Sequence, residues 1–286
     1  MNEKLSFYII AKNEIFWIEP CILSIKHLTD DIVYVDNGST DGTLEKVKLI
    51  KNTYKLPINI FEYPKECDLS ELRNFALSKC KHKWVFVWDA DFIAYEDTSS
   101  FSTKKFLEDL DKNKTFEKFN EIDFQCPIMR AFMGKSYEAQ IKHVPNCYLM
   151  NKDEVSITMS NKNGWDARHY KTEAKRRTSY DFCFISLDIK SDLHCTKRRF
   201  RCNWRMYRKE KNSNISLDDY IKTILKFNLE DASFIYNRKY IKFPYPIPTI
   251  LHTFINNPPY KLILKDNKII GREFDYVRLK KLEIKI

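Results

Sequence analysis

KWVFVWDAD, Lys83 to Asp91, is the stretch that decides how this chain is read. From Trp84 to Trp88 the run is apolar without interruption, the pattern of a strand buried on both faces. It stops at two carboxylates, Asp89 and Asp91, with one small residue between them. A buried strand that ends in unpaired charge is unfavourable unless something neutralises it. Two carboxylates at one tip suit a divalent cation, often one shared with a phosphorylated ligand. A D-x-D pattern alone is a weak signal, so its weight depends on what precedes it.

What precedes it is a repeated unit. Leu5 to Ala11 is a short apolar run, followed by the polar Asn13 and Glu14. A helix starts near Pro20, with Ile15, Ile18, Ile22 and Ile25 on one face. Asp31 to Val35 reads as a second strand ending at Asp36. Asn37-Gly38-Ser39-Thr40-Asp41-Gly42 is then a polar turn that caps a helix from Thr43. Ile58 to Phe61 is a third strand, and Asp68 with Glu71 resembles a capping box for a helix reaching Lys79. The strand bearing the carboxylates comes next. This β-α-β-α-β-α-β order requires parallel pairing. Ligands of such sheets bind beyond the carboxyl ends of the strands. Asn13, Asp36 and Asp91 each fall just past a strand end, so they converge on one edge.

Downstream, Phe106 to Leu110 continues a helix, and Ile122 to Met129, Cys147 to Met150 and Phe182 to Ile189 read as strands. Ser160 to Thr178 is polar and charged and reads as a loop over the sheet edge. Ser216 caps a helix with Leu217, Tyr220, Ile221, Ile224 and Leu225 as its apolar face, prolines follow, and KLILKDNKII is a hairpin turning at Asp266-Asn267. At 286 residues the expected division is one large α/β domain, 1–210, and an appendage, 211–286.

No apolar run approaches the roughly 18 residues needed to cross a bilayer. The N-terminal MNEKLSFYIIAKNE lacks the features of a signal peptide. The eight cysteines show no metal-ligand spacing and fit free thiols in a reducing cytoplasm. The formal charge is +10, and it is unevenly placed: Arg168 to Lys211 holds fourteen Lys/Arg against five Asp/Glu. That excess is either a solvated charge-rich helix or a surface for a diphosphate, an anionic acceptor or an acidic membrane face.

In the order AKNE (Ala11 to Glu14), VDNGSTDGT (Val35 to Thr43), RNFA (Arg73 to Ala76) and DAD (Asp89 to Asp91), the chain resembles the GT-A glycosyltransferases of family 2. The resemblance covers the first third of the chain. It implies a Rossmann-like, mostly parallel α/β sheet flanked by helices, here with a small C-terminal helical and hairpin extension. It also implies a nucleotide-sugar donor, a UDP-sugar first, together with Mn²⁺ or Mg²⁺ and transfer with inversion to a hydroxyl of a glycan or glycolipid, an anionic one included. By position, Asp36 would hydrogen-bond the nucleobase in a pocket lined by Ala11, Asn13 and Glu14. Arg73 would approach the nucleotide, Asp89 the ribose or the metal, and Asp91 the metal.

Several relatives add a late metal ligand where this chain has Ser186, and Asp188, His194 or His169 stand as substitutes. The general base expected from such enzymes falls first on Asp166 of NGWDARHY, with Asp153, Glu154 and Glu173 as rivals. Some relatives carry His-Glu where this chain has Trp165-Asp166. The protein is then expected in the cytoplasm, with peripheral contact at the inner face of a membrane. Two readings compete: a non-catalytic relative, and a nucleic-acid module built on Lys197 to Lys211, where Phe200, Trp204 and Tyr207 stand among arginines. No recognised nucleic-acid motif surrounds that stretch, so no specific nucleic acid is expected. A nucleotidyltransferase is disfavoured because AKNE has neither glycine nor arginine.

Overall fold

A computed structural model describes residues 3–63, 67, 69–97, 100–129, 135–137, 141–159, 166–179, 183–187, 189, 192–228, 240–243, 245–256, 258, 260–265 and 268–274. The first third follows the expected alternation: β1 (Leu5–Ala11), α1 (Ile18–Ile25), β2 (Ile32–Asp36), α2 (Thr43–Tyr54), β3 (Ile58–Glu62), α3 (Leu69–Lys79) and β4 (Trp84–Val87). Then come β5 (Phe92–Ala94), α4 (Thr103–Lys112), α5 (Thr115–Lys118), β6 (Glu121–Met129), β7 (Lys135–Tyr137), β8 (Ile141–Asn151) and β9 (Val155–Met159). β10 (Asp166–Tyr170), β11 (Arg176–Ser179), β12 (Phe184–Leu187), α6 (Asp192–Lys211) and α7 (Leu217–Asp219) follow. The chain ends with β13 (Tyr240–Lys242), α8 (His252–Asn256), β14 (Tyr260–Lys265) and β15 (Lys268–Phe274).

The main sheet runs β3-β2-β1-β4-β8-β6-β12-β5, with β11 beside the first half of β6. β1 to β4 pair in parallel, as connections through helices demand. β8 is antiparallel to both β4 and β6, and β12 is parallel to β6. The expected α/β class, a mostly parallel sheet flanked by helices, is the one found.

Alternation along β1 explains why its sequence is apolar throughout. Phe7 and Ile9 face one core with α1, α2, α4, Phe86 and Trp88. Tyr8 faces the other with Val33, Val35, Val85 and Val87, under α3 and β9. On the first face Phe86 stacks on Phe124 at 5.0 Å and Trp88 tilts over Phe184 at 5.1 Å. The aromatic side chains of β4 therefore fix the strand whose tip carries the carboxylates.

Two expectations are corrected. Ser160 to Thr178 is not simply a loop, because it contains β10 and β11. Arg168 and Tyr170, two residues apart on one face of β10, both reach the fully buried Glu121 of β6. Arg176 of β11 reaches Glu121 and Asp123. Part of the charge that made the segment look solvated, that of Arg168, is paired inside. Second, the Ser216 helix is brief: α7 passes into a π-helical turn, Tyr220–Ile224, closed by Leu225 N–H to Tyr220 O. The wider turn buries Tyr220 and Ile221 but leaves Ile224 43% exposed. Phe92–Ala94 adds a short strand that pairs antiparallel with β12.

Asp68 and the turn at Asp266-Asn267 lie outside the described residues. β14 and β15 pair antiparallel, with Lys265 opposite Lys268. Phe243, Leu251, Phe254 and Tyr260 join the main core, and Tyr95 Oη donates to Pro246 O (3.0 Å). Among the described residues no helix is long and apolar enough to cross a membrane.

Candidate active site

Two loops at the carboxyl edge of the sheet are sewn to each other. Asn13 sits in the left-handed region (φ 60°), which Asn tolerates better than most residues. Its N–H donates to Ser39 Oγ (3.0 Å), and its Oδ1 accepts from Thr40 N–H (2.7 Å). Glu14 N–H donates to Thr43 Oγ1 (3.0 Å), and Asn37 N–H donates to Ala11 O (2.9 Å). Gly38 and Gly42 take positive φ (75° and 98°), where a β-carbon would be unfavourable, and so allow the turn to fold back. The AKNE and NGSTDG segments thus form one rigid rim.

Asp36 is 3% exposed, and both its oxygens serve this rim. Oδ1 accepts from Ser39 N–H (2.7 Å) and Oδ2 from Tyr34 Oη–H (3.0 Å). Burial, then the Asp36 charge, pushes the Tyr34 hydroxyl far above its ordinary range, so it stays a donor. The next residue, Asn37, lines a cavity of about 440 Å³ together with Ala11, Asn13 and Glu14. Asp36 is not among the lining residues, whereas Asn37, which sequence reasoning passed over, is. Asn37 Nδ2 donates to Tyr63 O (2.7 Å), which orients the amide.

The acidic turn leaves β4 beside this rim. Trp88 N–H donates to Tyr8 O (3.0 Å), Phe92 N–H closes back on Asp89 O (3.0 Å), and Leu187 N–H of β12 donates to Asp91 O (2.8 Å). The Asp91 residue is 5% exposed, while the Asp89 side chain is 39% exposed. Arg73, 4% exposed on α3, lies 3.9 Å from Asp89 Oδ1 through Nη2 and donates to Tyr8 Oη (3.1 Å) through Nη1. Tyr8 is a second residue missed by sequence reasoning; it aims the guanidinium at the acidic turn. The field of the carboxylates reaches the core: burial first, then Asp91, pushes the Cys21 thiol well above its ordinary range.

One nearly buried and one half-open carboxylate on a single turn fit a hard octahedral cation that keeps positions for phosphate and water. Among the described residues no group of three or more His, Cys, Asp or Glu forms a metal cluster. Diphosphate oxygens and water would complete the shell.

The downstream residues divide between the two edges of the sheet. Asp166 begins β10 opposite Met159, two residues beyond Ile157. Asn74, next to Arg73, clamps Ile157 with two hydrogen bonds (2.6 and 3.2 Å), which ties the hairpin to α3. Asp188 lies outside the described residues, directly after Leu187. His194 lies in the first turn of α6. His169 is exposed and pairs with Thr158 Oγ1 (2.7 Å). Asp153, Glu154 and Glu173 belong to the opposite edge, where Lys152 N–H meets Lys83 O (3.0 Å) and Asn120 Nδ2 meets Glu173 O (3.1 Å).

The nucleic-acid reading loses its aromatic platform. Trp204 is 5% exposed and donates to Ile215 O (2.9 Å), Tyr207 packs on Tyr220 (5.1 Å) and Phe200 on Phe227 (5.6 Å). These rings join α6 to the segment after it.

Residues 6–108, from β1 into α4, match the family described as glycosyl transferase family 2. Over 89 residues the chain is 36% identical to an uncharacterized glycosyltransferase of Rickettsia prowazekii (strain Madrid E), covering 31% of this chain and 28% of that one. It is 38% identical over 87 residues to the lipopolysaccharide core biosynthesis glycosyltransferase LpsC of Rhizobium meliloti (strain 1021), covering 30% and 31%. The chain thus spans less than a third of the length of these curated relatives. Among solved structures, a mannosyltransferase from Pyrobaculum calidifontis in complex with GDP-Man and Mn²⁺ is similar at 14% identity and TM-score 0.44, over 80% of this chain and 72% of that one.

Proposed function

We propose that the protein is an inverting, divalent-cation-assisted glycosyltransferase that moves a sugar from a nucleoside-diphosphate donor, a UDP-sugar first, to a hydroxyl of a glycan or glycolipid. The observation that carries this reading is the Asp89-Ala90-Asp91 turn, which opens beside Arg73 on the same sheet edge as the cavity rimmed by Ala11, Asn13, Glu14 and Asn37. All of these residues lie within the family-matched segment.

On this reading the nucleobase enters against Ala11 and Asn37, whose amide offers both a donor and an acceptor. Asp36 acts indirectly by holding the turn that presents Asn37. Arg73 pairs with the nucleotide, held in aim by Tyr8. Asp89 and Asp91 would hold Mn²⁺ or Mg²⁺, which would supply positive charge to offset that of a departing diphosphate. The acceptor oxygen attacks the anomeric carbon from the face opposite the diphosphate. The new C–O bond forms as the bond to phosphate breaks, and the hydroxyl proton passes to a carboxylate. Asp166 is assigned that role because β10 is tied to the Arg73 helix, whereas Asp153, Glu154 and Glu173 sit at the other edge. Asp188 and His194 remain the positions for a further metal ligand.

The LpsC relative supports an acceptor that is a lipid-linked glycan, and the basic balance of the chain suits an anionic one. The enzyme would then work in the cytoplasm, peripherally at the inner membrane face.

The test is a panel of UDP-, GDP- and other nucleotide sugars with Mn²⁺, Mg²⁺ or EDTA, read by isothermal titration and by release of nucleoside diphosphate. Binding of one donor with cation-dependent turnover is expected. No binding of any donor would remove the proposal. Asp166→Asn should lower turnover by about 10²-fold or more with donor affinity unchanged. Equal turnover in variant and parent would exclude Asp166 as the base.

A further inference from the structure

We propose that α6 supplies a cationic stripe, Lys197, Arg201 and Arg205, that binds the diphosphate of the donor directly, so that nucleotide binding does not depend on the cation at Asp89 and Asp91. The inference rests on the reading of the cavity as a nucleotide site.

The three residues recur at i, i+4 and i+8, which places them along one face of the helix. All three line the 440 Å³ cavity, across from the AKNE rim. Their helix is anchored to the segment that follows it. Trp204 packs with Tyr220 and Ile221, Arg208 lies over the Trp204 ring at 5.1 Å, and Arg208 Nε donates to Ser213 O (3.1 Å). Lys197 Nζ pairs with Asp218 Oδ2 (2.7 Å), tying α6 to α7 at the cavity wall.

Among the described lining residues four cationic side chains, with Lys12, stand with two acidic ones, Glu14 and Asp218. A nucleobase needs no such excess, but a diphosphate does. Arginine forks match phosphate oxygens in pairs and carry their charge at every working pH. The donor would then be held by two independent sources of positive charge. One is fixed on α6 and serves binding. The other is the exchangeable cation of the acidic turn, which serves departure of the diphosphate.

The experiment titrates UDP, GDP, uridine and guanosine into the full chain in EDTA and in Mn²⁺. Wild-type protein should bind one diphosphate in EDTA within about tenfold of its affinity in Mn²⁺. R201Q/R205Q should weaken that diphosphate by about 10-fold to 100-fold in EDTA and leave the matching nucleoside within about twofold. Added KCl should weaken diphosphate and not nucleoside. If wild type binds a diphosphate and R201Q/R205Q binds it equally well, the α6 proposal fails while the glycosyltransferase reading stands. Diphosphate binding that vanishes in EDTA also overturns the α6 proposal alone. Failure of wild type to bind any nucleotide, with or without Mn²⁺, overturns both. Thermal melts report folding, and where the double variant melts early the single R201Q, with the same readouts, decides.

Discussion

Asp91→Asn is expected to lower kcat by about 10³-fold while the fold and its melting temperature are retained. The substitution keeps shape and volume at a residue 5% exposed, and its carbonyl still accepts the Leu187 N–H at 2.8 Å. What is lost is one negative charge at the strand tip, where a hard cation requires anionic oxygen. A deficit of that size corresponds to about 4 kcal/mol of transition-state stabilisation, within the range such charge neutralisation supplies. Donor affinity in Mn²⁺ should fall only to the value measured in EDTA, because the α6 stripe and the AKNE rim are untouched. Asp89→Asn should be milder, since Asp89 is half open and already faces Arg73 at 3.9 Å. Removing the more buried carboxylate should therefore do more damage than removing the accessible one. An Asp91→Asn enzyme that keeps more than about a tenth of wild-type turnover would sink the metal-site assignment.

The edge at Asn13, Asp36 and Asp91 was legible because each residue stands at the end of a short apolar run within the first third of the chain. Local pattern was sufficient there: buried strands are recognised by what they lack, and the polar residues at their ends stand out. Asp36 illustrates the limit of reading by chemical aptness. A carboxylate looks like the better partner for a base N–H, yet Tyr34 lies two residues back on the same face of β2. Ser39 N–H lies three residues ahead, the spacing of a side chain that closes its own turn. Those offsets were in the sequence, while Asn37, the next residue, lines the cavity. The α6 stripe was also present as spacing, but a basic helix looks the same whether it faces solvent or a cavity. β10 and β11 were not legible locally at all, because Arg168 and Arg176 find their carboxylates about fifty residues earlier in the chain.

That long-range pairing makes Arg168→Met the substitution expected to cost most stability, about 3–5 kcal/mol by thermal or urea unfolding. Arg168 Nε lies 2.9 Å from Glu121 Oε1 and Nη2 lies 3.3 Å from Asp123 Oδ1, with the guanidinium 4.6 Å over the Tyr148 ring. Glu121 is fully buried and Asp123 1% exposed, so loss of Arg168 leaves Arg176 as the remaining cation on both carboxylates among the described residues. Burial already pushes the Glu121 carboxyl from 4.5 up to about 7, against the pull of Arg168 and the Tyr170 hydrogen bond. The native state therefore holds this proton more tightly than the unfolded chain. By linkage, Glu121 makes stability fall as pH rises from the ordinary carboxylate value to the native one, and no further above it. Without Arg168 the native value moves higher still, so the decline extends past neutrality. The deficit of Arg168→Met should thus be smaller at pH 5 than at pH 8. Adding Glu121→Gln should recover part of it and flatten the profile, because the neutral amide needs no counter-charge and still accepts from Tyr170. A deficit that is the same at both pH values would show that lost packing on Tyr148, rather than stranded charge, sets the cost. The outcome bears on the site as well: Arg168 fastens β10 to the sheet, and β10 is the strand that begins with Asp166.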